Sequence, residues 1–180
     1  MIQRLPMEVR AVDADERTVT GVVVPYDETS YLTPTPGGER VLRGAFTKSA
    51  RQRGNQIFLF RQHAHDRPVG RAVGFVDETD GLHGTFKIRE SVLGDEALAD
   101  LREGYLPALS VGFRPIQTRR AQDGATEVVE GALMEVSLVA LGAYDGARVL
   151  AVRSLYNSLH APQPISPNLS PTMPGWAYLD

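Results

Sequence analysis

Ser110 lies in Leu109-Ser110-Val111-Gly112-Phe113. The alternation of a strand puts Leu109, Val111 and Phe113 on one face and Ser110 and Gly112 on the other. One face feeds a core. The other presents a hydroxyl beside a residue without a side chain, the shape of a nucleophile that a substrate backbone must approach closely. A solvent-facing serine on a half-buried strand has the same local pattern, so the rest of the chain must supply its partners. A serine hydroxyl is a weak nucleophile at neutral pH and needs an imidazole to take its proton, usually with a third group to orient that imidazole.

Of four histidines, His83 follows the turn-like Asp80-Gly81 and His160 falls in a proline-rich stretch, whereas His63 and His65 come just after an apolar strand over residues 56–60. The base is one of these two. Glu135 in Leu133-Met134-Glu135-Val136 places a carboxylate inside an apolar run. Left unpaired there it would cost about 3–5 kcal/mol, so it has a partner. That partner is His63, or else Arg114 or Arg71 in a structural ion pair, which spacing alone favours.

Metal chemistry is the competing reading. His63-Ala64-His65-Asp66 begins like the His-x-His-x-Asp-His cluster of binuclear zinc hydrolases, but Asp66 comes one place early and Arg67-Pro68 follow. A catalytic zinc wants three protein ligands, and only His83 and His160 remain as further imidazoles. Gly142-Ala143-Tyr144-Asp145-Gly146 is either an ordinary turn, which we favour, or a loop whose amides form an oxyanion hole. No glycine pattern of a phosphate- or dinucleotide-binding loop occurs.

The elements that must position these residues are mostly strands. Residues 7–11 alternate and 18–24 are rich in β-branched side chains, predicting an opening hairpin. Residues 25–40 carry prolines and glycines without periodicity and are expected to form a long surface loop. A short helix is expected over 47–53 with Gly54 as its C-cap, and a hairpin over 71–76 and 82–88 turns at Asp80-Gly81. Residues 95–103 predict the clearest helix, capped by Gly104 immediately before the serine strand. Strands are expected at 109–118 and 126–130, a core strand at 132–141 and a last short one at 147–152.

The chain has 180 residues, which suits a single domain. We place that domain at 1–153. Beyond it, residues 154–180 read as a disordered tail or linker, because five of the twelve prolines crowd into 161–175 among widely spaced apolar residues. A net charge of −3 with interspersed signs offers no basic surface for nucleic acid and no polybasic membrane patch. There is no cysteine, which removes disulfides, thiolate metal sites and cysteine nucleophiles together. No apolar run long enough for a signal peptide or a membrane span occurs, and we expect a soluble cytosolic protein with no cofactor.

Five motifs in order carry a resemblance. They are Arg43-Gly44-Ala45-Phe46 before a short helix, His63 through Pro68-Val69-Gly70-Arg71, and Asp80-Gly81-Leu82. Gly104-Tyr105-Leu106 leading to Leu109-Ser110-Val111-Gly112-Phe113 and Glu135-Val136-Ser137-Leu138-Val139 complete the set. Together they resemble the prohead serine proteases of tailed phages, a family similar in fold to the herpesvirus assemblin proteases. The resemblance implies a mainly β fold with flanking helices, an antiparallel β-barrel of the assemblin type. It implies a serine endopeptidase with Ser110 as nucleophile, His63 as base and Glu135 as third member. It implies the major capsid protein and a scaffold protein or domain as substrates, action inside the assembling prohead in the bacterial cytoplasm, and leaves a homo-oligomer open. Two alternatives stand beside it: an inactive head-assembly protein on the same barrel, and a metal-dependent hydrolase using His63, His65 and Asp66.

Overall fold

The computed structural model describes residues 17–32 and 35–153. The first arm of the expected opening hairpin, residues 7–11, and the expected tail, 154–180, lie outside them. Nine strands and two helices run in the order β1 (Thr18–Pro25), β2 (Thr29–Ser30), β3 (Glu39–Val41), α1 (Thr47–Arg53), β4 (Phe58–Arg61), β5 (Pro68–Asp77), β6 (Gly81–Ile88), α2 (Val92–Glu103), β7 (Ala108–Arg120), β8 (Thr126–Val139) and β9 (Val149–Arg153).

All nine strands form one curled sheet in the order β2-β3-β8-β4-β5-β6-β1-β9, with β7 paired along β8. The curl brings the start of β9, already beside β1, against the start of β7. Val22 and Arg148 exchange backbone hydrogen bonds of 2.8 and 3.1 Å, the Val149 amide donates to the Pro107 carbonyl, and Ala108 bridges Arg148 just as it enters β7. Pairing is antiparallel except where β3 and β4 lie parallel to β8 along its other edge. The barrel is therefore mostly, not wholly, antiparallel.

β1 is flanked by β6 and β9. The expected loop over 25–40 folds further than its composition suggested. Its ends become the two-residue β2 and the three-residue β3, which pair with each other and dock β3 onto β8. The two strands read at 126–130 and 132–141 are one strand of 14 residues, since Gly131 continues the ladder and donates its amide to the Ala45 carbonyl at 2.9 Å.

The helices follow local chemistry closely. α2 begins three residues earlier than expected, where the Ser91 hydroxyl accepts from the Gly94 amide, and ends at Gly104 in the left-handed region with φ 78°. α1 spans the expected residues, but Gly54 (φ −50°) is no left-handed cap; it opens a single 3-10 turn, Gly54–Gln56. The core inside the curl is built on Phe46, Phe86, Leu59, Leu109, Leu133 and Leu138, all inaccessible to solvent. Each such burial contributes about 1.5–3 kcal/mol.

Candidate active site

Ser110 and Glu135 arrive on neighbouring strands. Ser110 pairs with Ser137 across β7 and β8, and Gly112 pairs with Glu135. One step further the register slips: Phe113 pairs with Leu133, leaving Met134 as the extra residue of a bulge. The bulge explains how the apolar run accommodates its acid. Leu133, Val136 and Leu138 all enter the core although the first two are three residues apart, while Glu135 and Ser137 share the opposite face. The Leu133 amide beside the bulge donates to the buried Ser49 hydroxyl of α1 at 2.8 Å.

His63 reaches the same spot from β4. The parallel ladder sets Phe60 against Ser137 and Arg61 against Leu138, and the Gln62 amide donates to the Leu138 carbonyl at 2.9 Å. Gln62 and His63 then both take left-handed backbone angles, φ 53° and 57°. Such conformations in non-glycine residues carry about 1–3 kcal/mol each, and here they fold the chain back so that the imidazole overhangs the β7–β8 pair. The guanidinium of Arg61 pins the strand end to Asp100 of α2 at 2.5 Å.

The three side chains meet. His63 Nδ1 lies 2.7 Å from Glu135 Oε1 and His63 Nε2 lies 3.1 Å from Ser110 Oγ. With the proton on Nδ1, that nitrogen donates to the carboxylate, and Nε2 accepts from the hydroxyl. The other carboxylate oxygen, Oε2, accepts from the Ser137 hydroxyl at 2.8 Å. The acid side chain is 7% exposed and the imidazole 45%, so the ring faces outward from a buried anchor.

Gly112 acquires a different meaning from the one its place beside Ser110 suggested. A Cβ there would sit 2.5 Å from Glu135 Oε1 and 2.8 Å from its Cγ. The missing side chain makes room for the acid.

The other candidates lie elsewhere. His65 packs its ring against Phe60, centroids 5.1 Å apart, and His83 pairs with Asp80 at 2.9 Å. His160 lies outside the described residues. The ion pair of Glu135 with Arg71 or Arg114, favoured on spacing, is not formed, since the acid is bonded to His63 and Ser137 instead. His63, His65 and Asp66 do not converge, and among the described residues no group of three or more His, Asp or Glu side chains could hold a metal ion. In the loop after β8, Gly146 gives its amide to the distant Glu28 carboxylate and Ala147 gives its amide to the Tyr144 carbonyl in a turn, so both amides are engaged. Residue reasoning missed Ser137 and the space that Gly112 leaves for Glu135. Ser137 was within reach, because two residues after Glu135 on a strand is the same face.

A family profile described as caudovirus prohead serine protease matches residues 5–161. The chain belongs to that family of serine peptidases. No curated protein matches it in sequence. Among solved structures it is similar to the varicella-zoster virus protease, with 18% identity over 73% of this chain and 62% of that one and a TM-score of 0.44. It is similar to a Kaposi's sarcoma herpesvirus protease bound to a hexapeptide phosphonate inhibitor, with 17% identity, 73% and 63% coverage and a TM-score of 0.46. It is also similar to the bacteriophage T4 capsid assembly protease, with 14% identity, 73% and 79% coverage and a TM-score of 0.48. The chain thus spans less than two thirds of the length of the two herpesvirus proteases. Among the described residues no helix is long and apolar enough to cross a membrane.

Proposed function

We propose that the chain is an endopeptidase of phage head maturation that cuts segments of the major capsid and scaffold proteins within the assembling prohead in the bacterial cytoplasm, using Ser110, His63 and Glu135 as its triad. One observation carries this reading beyond family membership: a single imidazole bridges a strand hydroxyl and a buried carboxylate at 3.1 and 2.7 Å. In the reaction Ser110 Oγ attacks the scissile carbonyl carbon while His63 Nε2 takes the hydroxyl proton. The imidazolium is held by Glu135 Oε1 and returns the proton to the departing amine as the C–N bond breaks. Water then enters, gives a proton to Nε2 and attacks the acyl carbon, and as the ester C–O bond breaks Nε2 returns that proton to Ser110 Oγ, releasing the acid product and the free serine.

The two alternatives make opposite predictions. An inactive barrel needs no bridged imidazole, and a metal hydrolase needs a ligand set that His63, His65 and Asp66 do not form. Co-expression of the chain with a major capsid protein as candidate substrate tests the proposal. Ser110→Ala should leave the capsid protein uncut while the variant stays folded by circular dichroism. Full-length cleavage by that variant would refute the assignment of the nucleophile.

A further inference from the structure

Ser137 has no exposed surface, and its hydroxyl proton is given to the oxygen of Glu135 that His63 does not use. Three features converge on that carboxylate. Strand register fixes Ser137 on its face, Gly112 leaves the gap it fills, and the bulge at Met134, propped by Ser49, sets where the strand turns it inward. A carboxylate has two equivalent oxygens and rotates about its last bond. If Oε2 were unheld, either oxygen could swing toward solvent, and His63 would lose a fixed acceptor.

We propose that Ser137 is a positioning residue of this site. Its buried hydroxyl clamps Glu135 Oε2 so that Oε1 stays aimed at His63 Nδ1. The proposal rests on the triad reading above and acts only through Glu135. An alanine in its place removes one oxygen atom and leaves the acid's second oxygen in a buried position without a donor. The imidazole then spends less of its time with Nε2 aligned to Ser110. Loss of a hydrogen bond to a buried charged group commonly accounts for about 10–100-fold.

The test needs no knowledge of the natural cleavage site. A fluorophosphonate probe reacts with an activated serine as the Oγ–P bond forms, the P–F bond breaks, fluoride leaves and His63 takes the hydroxyl proton. The rate of adduct formation, followed by intact mass on the full chain, reports on the relay directly. Ser137→Ala should label about 10-fold or more slowly than wild type, and Glu135→Ala more slowly still. The double variant should label no more slowly than Glu135→Ala alone, because the hydroxyl has nothing left to hold. Labelling of Ser137→Ala at the wild-type rate, or multiplying losses in the double variant, overturns the positioning role while leaving the triad intact. Wild-type labelling by Glu135→Ala overturns the triad reading and this proposal together. Proton NMR supplies a measurement independent of rate. The downfield signal of the His63 Nδ1 proton should broaden or move in Ser137→Ala, and an unchanged signal counts against the clamp even if the variant is less stable.

Discussion

Two of the carboxylates buried in this sheet, Glu39 and Glu135, have partners of opposite kinds. Glu39 on β3 is 9% exposed and Glu135 on β8 is 6% exposed, so burial does not separate them. Their partners do. Glu39 accepts from the Tyr144 hydroxyl at 3.1 Å, tying β3 to the turn after β8. Burial pushes the Glu39 carboxyl above its ordinary range, against the pull of the Tyr144 hydrogen bond, and burial together with the neighbouring acid pushes the Tyr144 phenol up as well. Neither group gains from the other's charge. Glu135 faces an imidazole, a group that can take a proton near neutral pH and then becomes the counter-charge of the acid. On the proposed triad reading, what sets the functional acid apart is a neighbour able to change its charge.

Substitutions can break or sharpen this contrast. The largest effect belongs to the proton acceptor. His63→Ala should lower the turnover of capsid protein by about a million-fold, as loss of a triad base does elsewhere, whereas His65→Ala should keep a rate close to wild type. A dead His65→Ala with an active His63→Ala would reverse the roles of the two rings. Next comes the acid itself. Glu135→Gln keeps the shape but not the charge and should cost about ten-thousand-fold in kcat, while Glu39→Gln should leave kcat unchanged. Equal losses in the two glutamine variants would erase the distinction drawn above.

Gly112→Ala should follow. Its Cβ must displace an acid anchored by two hydrogen bonds, and a shift of that kind costs about a hundred-fold, with the loss in kcat rather than KM. Rates within a factor of a few of wild type would mean that the carboxylate relocates freely.

The smallest effect is on stability. In the unfolded chain Glu39 titrates at its ordinary value of 4.5, and in the folded chain at a higher one. Below the ordinary value both states are protonated and the burial is harmless. As pH rises through the folded value the buried group must ionise, and stability is lost. Glu39→Gln should therefore flatten the dependence of the melting temperature on pH between mildly acidic and neutral conditions. At neutral pH its melting temperature should lie above that of the wild type. A wild-type melting temperature that climbs across this window with the Glu39→Gln curve parallel to it would contradict the raised value.

What the sequence made legible was local. Asp80-Gly81 announced the β5–β6 hairpin, Gly104 announced the end of α2, and the five ordered motifs named the residues that meet in space. What stayed hidden depends on register between distant segments. Nothing near residues 39–41 or 58–61 says that they lie parallel to β8, because such pairing is chosen by the whole curl and not by turn chemistry. The bulge at Met134 was equally silent, and with it the reason that Leu133 and Val136 share a core. The space that Gly112 leaves for Glu135 was hidden as well, since its partner across the ladder is 23 residues away and only the register reveals it.

Ser110 and Glu135 are brought together by one hairpin, whereas the imidazole comes from 47 residues before the serine and 72 before the acid, through a short parallel crossing. Closing a long excursion onto a three-residue ladder is entropically harder than zipping a hairpin. A newly made chain is therefore expected to bring Ser110 and Glu135 together early and to lie dormant until β4 docks. Conditions that peel β4 away should silence the enzyme while the hairpin survives, so amide exchange at Gln62 ought to rise in step with the fall in serine labelling; protection at Gln62 in a chain that no longer labels would show that the dormancy has another source.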